Sequence, residues 1–307
     1  MVVFGHQAAV TAGVDGQVLR RSGRLANWAN FVKVAHTVFA LPFVVVGLAA
    51  ASLHYRVDWA RVVIAVLAFA AARFAAMGFN RIVDRRYDAL NPRTSGRELP
   101  SGRMPVGEAW ALVVVMSTAF FVLVARLNPL CLALAPVAWA WTLAYSYTKR
   151  FTALCHFWLG WSLAFAPAGG YLALSAEWTR PWWVMWVLGI GVSSWVGGFD
   201  ILYSLQDESF DREHRLRSLT VALGARGAIW YARASHIVAV VALAVWGRAA
   251  GLGAAYLAGV VVAAALLVWE HRLVRAGDYS RLDVAFFSMN GVISGVVMIG
   301  ALVDVLA

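Results

Sequence analysis

The chain has 307 residues, is 62% hydrophobic and only 14% charged, and carries a formal net charge of +10. Soluble domains usually carry about 25% charged residues, so this composition excludes a water-facing globule and points to an integral, multi-pass membrane protein. The positive charge lies in short loops between apolar runs, which fits anionic lipid headgroups and topology control rather than a nucleic-acid-binding face. Two cysteines, Cys131 and Cys155, both sit in apolar runs. They offer neither a disulfide framework nor zinc spacing and read as small buried hydrophobes.

Residues 1–26 lack the apolar core and cleavage site of a secretory signal, and read as a flexible basic cytoplasmic tail. Residues 27–307 read as a single transmembrane domain. A bilayer crossing takes about 20 apolar residues. Nine stretches qualify: 30–52, 59–82, 108–126, 128–147, 154–174, 182–204, 226–247, 251–270 and 284–305. The expected fold is therefore all-α, a polytopic bundle of nine transmembrane helices. Short connections fall at Asn128-Pro129, Glu177 to Pro181 and Gly247 to Gly253; those after the second and sixth spans are longer and strongly polar. With the N-terminus in the cytoplasm, nineteen of the 26 Lys and Arg fall in inside segments and five in outside segments. That asymmetry sets the orientation and puts the polar loops on the cytoplasmic side. Trp110, Trp178, Trp182, Trp183, Trp186 and Trp230 fall near span ends, as an interfacial belt requires. His36, in the first span, reads as a hydrogen-bonded packing residue. Asp283, Asn290 and Asp304 receive no role.

The second span ends in Asn80-Arg-Ile-Val-Asp84-Arg-Arg-Tyr-Asp88, and the sixth in Asp200-Ile-Leu-Tyr-Ser-Leu-Gln-Asp207-Glu-Ser-Phe-Asp211. Carboxylates at the end of a membrane helix are expensive unless a cation neutralises them. Asn80, Asp84 and Asp88 are spaced i, i+4, i+8 and share a helical face; Asp207 and Asp211 are i, i+4, with Asp200 about two turns earlier. Oxygen-only ligand sets of this kind suit Mg²⁺, which keeps several waters and bridges carboxylates to phosphate oxygens. Two such faces turned toward one another make a diphosphate site. Arg93, Arg97, Lys149, Arg150, Arg215 and Arg217 flank the acids, and arginine forks match phosphate geometry. Arg73 lies seven residues before Asn80, on the same face and two turns deeper, where a charge should face a cavity. It is a candidate partner for the carboxylate of an acidic substrate. The Gly-Phe-Asn of residues 78–80 and the Gly-Phe-Asp of 198–200 echo each other as a weak internal repeat.

These motifs resemble those of the UbiA-type intramembrane prenyltransferases, whose pattern is Asn-x-x-x-Asp-x-x-x-Asp followed by a second aspartate-rich loop. The first motif continues as Asp88-Ala-Leu-Asn91-Pro-Arg93-Thr94-Ser-Gly-Arg97-Glu-Leu-Pro100, and the second as Asp211-Arg-Glu-His-Arg215-Leu-Arg217-Ser218. The resemblance covers nearly all of the chain after residue 27. It implies a central cavity opening laterally to lipid, with two Mg²⁺ ions between the aspartate motifs holding a polyprenyl diphosphate. The stretches Tyr145-Ser-Tyr-Thr-Lys149-Arg150-Phe-Thr152 and His36-Thr-Val-Phe-Ala-Leu-Pro-Phe43 resemble the 4-hydroxybenzoate polyprenyltransferase branch of quinone biosynthesis and its menaquinone-pathway relatives. By that resemblance Arg73, Arg93, Arg97, Tyr145 and Lys149 line the substrate site. Asp200 accepts a proton or positions the phenol. The acceptor is an aromatic acid, 4-hydroxybenzoate first and a naphthoate second. A secondary transporter, the reading from another class, requires acids and broken helices at the bilayer midplane; here the acids cluster at span ends, on one side.

Overall fold

A computed structural model of the chain describes residues 23–274, 282 and 289–307. Every regular element among the described residues is helical: α1 (Arg24–Phe31), α2 (Val34–Ser52), α3 (Trp59–Leu90), α4 (Val106–Val124), α5 (Pro129–Thr148), α6 (Cys155–Ser175), α7 (Trp183–Ser204), α8 (Glu208–Glu213), α9 (Leu219–Ala249), α10 (Ala254–Leu273) and α11 (Asn290–Leu306). Several starts follow from local chemistry. The Asp58 carboxylate accepts from the N–H groups of Ala60 and Arg61 to open α3. Asn128 caps α5, with Pro129 following where its missing N–H costs nothing. Ser218 caps α9.

Each expected span overlaps a described helix, but the first, 30–52, crosses the break at Val32–Lys33 between α1 and α2, and residues 284–288 of the ninth lie outside the described residues. Among the described residues, six helices are long and apolar enough to cross a membrane: α3, α4, α5, α7 with its continuation through α8, α9 and α10. Ala40–Ser52 and α11 form shorter apolar stretches. His, Ser, Pro, Gly and Trp residues lower the hydropathy of α6, and much of that helix is buried instead. Two short helices were not foreseen. α1 begins inside the stretch read as a tail, and α8 follows a 3₁₀ turn at Leu205–Asp207 that breaks the acidic cluster after α7.

α7 lies between α6 and α9, α6 packs on α2, α2 on α11, α11 on α10, and α3 on α4. Glycines let backbones meet: a Cβ on Gly170 of α6 would stand 2.5 Å from the Val44 carbonyl oxygen of α2. The outward faces of α4 and α9 remain apolar and exposed, through Val114, Val115 and Val122, and Ile237, Val241 and Val245. In water such a surface drives association; in a bilayer it faces the acyl chains. Trp110, Trp182, Trp183, Trp186 and Trp230 are exposed as an interfacial belt requires, whereas Trp178 lines an internal cavity. Both cysteines are free and buried.

Two unassigned polar residues acquire structural roles. Asp304 reaches from α11 to accept from the N–H groups of Gly253, Ala255 and Tyr256, capping α10. The Asn290 side-chain oxygen accepts from the Trp195 indole at 2.9 Å, tying α11 to α7. Asp283 and the side chain of His36 lie outside the described residues.

Because Gly170 packs directly against backbone, Gly170→Val is expected to cost at least the ~1–3 kcal/mol typical of overpacking. Thermal unfolding in detergent, followed by tryptophan fluorescence, checks this; an unchanged midpoint refutes the contact.

Candidate active site

α3, α5 and α7 all end at one face of the bundle, so three sets of terminal carbonyls converge there. Helix C-termini favour cations, and the loop after α3 delivers Arg93 and Arg97 while the end of α5 delivers Lys149 and Arg150. Arg93 holds Asp207 by a two-pronged fork, Nε to Oδ1 at 3.0 Å and Nη2 to Oδ2 at 2.6 Å. Asn91 adds a third donor to Asp207 at 3.1 Å. The other Arg93 nitrogen reaches the Tyr203 hydroxyl. Arg97 binds Asp88 at 2.8 Å, and Lys149 binds Asp211 at 2.9 Å. Arg150 stands 3.5 Å from Asp84 and lies over the rings of Tyr147 and Tyr87. Within α3, Asn80 donates to Asp84 at 2.8 Å. Burial disfavours the Lys149 ammonium, but Asp211 and then Asp207 outweigh it and hold its pKa above the usual lysine range. Lys149 is therefore a cation at any physiological pH.

The loop is itself held from below. Glu98, 2% exposed, sits 3.7 Å from Arg81 of α3, which is 4% exposed, and 3.7 Å from Arg103. Its backbone oxygen accepts from the Met104 N–H. This buried cluster pins residues 91–104 against α3, which fixes where Arg93 and Arg97 project.

Two cavities meet here. A polar one of about 180 Å³ is lined by Asn80, Asp84, Asp88, Arg93, Arg97, Tyr145, Lys149, Arg150, Asp200, Asp207 and Asp211, among others. An apolar chamber of about 540 Å³ runs away from it into the bundle, with Arg73 in its wall. Asn80, Tyr145, Asp200 and Tyr203 line both, so the two form one continuous space. The Arg73 Nε has no hydrogen-bond partner, and no carboxylate stands within ion-pair distance among the described residues. Arg215 and Arg217 are not brought in. Both are exposed and line neither cavity; Arg217 instead donates to the Phe151 carbonyl oxygen at 2.9 Å. Arg215 takes a left-handed φ of 55°, and the backbone that follows stays beside the acids, with the Leu216 N–H donating to the Asp211 carbonyl oxygen and the Arg217 N–H to that of Lys149.

Asp200 has a partner that sequence reading missed. His156 of α6, 0% exposed, bonds through Nδ1 to the Asp200 carboxylate at 2.7 Å, while its Nε2 faces the Leu219 N–H at 3.4 Å. If the far nitrogen accepts from the backbone, the near one carries the proton and donates to Asp200. A lone histidine in an apolar run was the available signal, since such a group needs a buried partner. Asn91 and Tyr203 were missed because neither carries charge.

The UbiA prenyltransferase family model matches residues 40–292. The chain belongs to the UbiA prenyltransferase family. Similar curated members include 4-hydroxybenzoate octaprenyltransferases of Alkalilimnicola ehrlichii, 31% identical over 79% of this chain and 81% of theirs, and of Aromatoleum aromaticum, 30% identical over 79% and 80%. Among solved structures, the apo UbiA homologue of Aeropyrum pernix is 33% identical, with a TM-score of 0.80 over 88% of this chain and 98% of that one. An Archaeoglobus fulgidus UbiA homologue bound to GPP and Mg²⁺ shares the fold at a TM-score of 0.66 and 17% identity, over 92% and 100%.

The donor set of this UbiA-family site fits a hard divalent cation. Asn80, Asp84, Asp88, Asp207 and Asp211 supply oxygen only, and the buried Asp88 Oδ2 has no hydrogen-bond partner. No three carboxylates among the described residues converge into a ready-made cage. Mg²⁺ does not need one, because it completes its shell with water and substrate phosphate.

Glu98→Ala takes a buried carboxylate away from Arg81 and Arg103, so it is expected to destabilise the protein by about 3–5 kcal/mol, the typical cost of breaking a buried pair. Thermal unfolding reads this directly; a loss no greater than that of a surface substitution refutes the positioning role of the cluster.

Proposed function

We propose that this chain transfers a polyprenyl group from a polyprenyl diphosphate to an aromatic acid, 4-hydroxybenzoate, in quinone biosynthesis. The observation that carries this reading is the unpaired Arg73 guanidinium in the wall of an apolar chamber that opens onto the acid-and-base pocket. A cation there is stable only with an anionic partner, and the carboxylate of a small aromatic acid supplies one. The similarity to 4-hydroxybenzoate octaprenyltransferases supports the acceptor, and the GPP and Mg²⁺ bound to the Archaeoglobus fulgidus homologue support the donor.

In this reading the diphosphate lies in the polar pocket. Asn80, Asp84 and Asp88 on one side, and Asp207 and Asp211 on the other, would hold Mg²⁺ as two ions. Mg²⁺ supplies charge neutralisation to the departing diphosphate. Arg93, Arg97 and Lys149 exchange their carboxylate partners for phosphate oxygens and stabilise the charge that develops as the C–O bond breaks. The apolar walls exclude water, which would otherwise capture the allylic cation as an alcohol. Arg73 holds the acceptor carboxylate, and the electron-rich carbon ortho to the phenol hydroxyl attacks. Asp200, at the junction of the two cavities, takes the ring proton at its carboxylate with His156 hydrogen-bonded behind it. The orientation proposed is N-terminus and pocket cytoplasmic, within nine spans of a single domain from residue 27.

Purified protein with Mg²⁺, geranyl diphosphate and 4-hydroxybenzoate is expected to yield the prenylated acid, and EDTA to abolish turnover. Asp84→Asn combined with Asp207→Asn is expected to lower kcat at least on the order of 10²–10³-fold; undiminished product would sink the metal assignment. Arg73→Ala is expected to raise KM for the acid about tenfold to a hundredfold, the worth of a charge-assisted hydrogen bond, while the donor KM moves little. Equal effects on both substrates would remove Arg73 from the acceptor subsite.

A further inference from the structure

A second group of basic residues collects at the same end of the bundle, away from the polar pocket. Arg226 and Arg233 of α9 and Arg272 of α10 border a cavity of about 410 Å³ between those two helices. Its wall residues Ile229 and Val274 pack into one small core with Leu202 and Leu205, just before Asp207, which places it at that end.

The charge of this cavity is unbalanced. In the polar pocket Arg93, Arg97, Lys149 and Arg150 each stand beside a carboxylate. No carboxylate lines the second cavity, and none comes within ion-pair distance of Arg226, Arg233 or Arg272 among the described residues. Its remaining polar wall residue, His271, turns Nε2 to the His236 Nδ1 at 3.0 Å and brings no negative charge. Topology control accounts for arginines in loops, but not for Arg233. That residue lies seven positions beyond Arg226 on α9, roughly 10 Å further into the bundle. A headgroup layer is only roughly 5–8 Å deep, so with Arg226 among the headgroups Arg233 starts within the hydrocarbon. A charge there needs an anionic partner. Its guanidinium lies 4.7 Å from the centre of the Trp230 ring, and Trp230 is exposed, as a residue of the membrane interface is.

The rest of the lining decides the ligand. Ile229 and Val274 are buried and apolar, and the Trp230 ring lies exposed beside Ile229 in sequence and cavity alike. A free phosphate gains nothing from such a wall. An amphiphile does: its acyl chains and glycerol cover the apolar surface while its phosphate meets guanidinium groups, whose forks match phosphate oxygens. We propose that this cavity binds the headgroup of an anionic phospholipid, which bridges α9 and α10 and supplies the negative charge that the protein withholds. Basic pockets between membrane helices hold lipids of this kind. The site is separate from the prenyl-transfer pocket, and its occupancy does not depend on that chemistry.

Native mass spectrometry of the purified full chain in neutral detergent measures the apparent Kd for phosphatidylglycerol and, separately, for phosphatidylcholine. Wild type is expected to prefer phosphatidylglycerol by about tenfold or more. Arg226→Gln, Arg233→Gln and Arg272→Gln combined are expected to weaken phosphatidylglycerol binding on the order of a hundredfold, about fivefold for each guanidinium, and to leave phosphatidylcholine binding unchanged. Arg248→Gln, which removes an exposed arginine at the opposite end of α9, is expected to change neither. Undiminished phosphatidylglycerol binding in the triple variant overturns the proposal and leaves these arginines to topology alone. Equal affinity of wild type for the two lipids overturns it as well, and so does displacement of phosphatidylglycerol by millimolar inorganic phosphate, the mark of a bare anion site. If the triple variant does not fold, as thermal unfolding reports, Arg226→Gln and Arg272→Gln decide singly, each by about a fivefold loss.

Discussion

Charge neutralisation at the end of an apolar bundle is the constraint on which the rest of this structure depends. Carboxylates and guanidinium groups at the edge of a hydrocarbon slab are tolerated only in pairs, and this chain pairs them across elements. Asp207 from beyond α7 meets Arg93 from beyond α3, and Asp211 meets Lys149 from the end of α5. Each pair therefore ties together helices whose apolar faces alone would leave their rotation and register loosely defined. In the proposed reading these are the groups a diphosphate would compete for, so the fold would be fastened by contacts that the proposed substrate is suited to replace.

Two devices turn helix ends into a pocket. One is the interruption after α7, where a single 3₁₀ turn re-aims the chain before α8 and presents Asp207 and Asp211 toward α5 and the α3 loop. The other is the Arg81–Glu98–Arg103 cluster, which makes a polar loop as well anchored as a helix. Catalytic side chains carried on loops gain precision only when the loop is held by buried contacts. Here a buried acid among arginines provides them.

Much of the architecture was legible in the sequence because lipid imposes simple rules. Apolar run length gave the helices, and i, i+4 spacing gave the shared face of Asn80, Asp84 and Asp88. Local backbone geometry was less legible. Arg215 and Arg217 are exposed and line neither cavity, although their proximity in sequence to Asp211 suggested otherwise. Long-range partners were invisible for a different reason. Nothing near His156 in sequence announces Asp200, forty-four residues away; nothing near Asn91 announces Asp207. Neutral donors such as Asn91 and Tyr203 leave no charge signature, so only their geometry reveals them.

The cap that Asp304 places on α10 bears on how the molecule is assembled. The first N–H groups of a helix lack partners within it, and lipid offers none. α10 obtains its partners from the last turn of α11, so its first turn is complete only beside that helix. The first turn of α10 is therefore satisfied by a side chain about fifty residues further along the chain, which couples the two helices as a pair. The carboxylate acts as a latch that fixes the depth of one helix against the other, and the final pair of the bundle carries its own ruler.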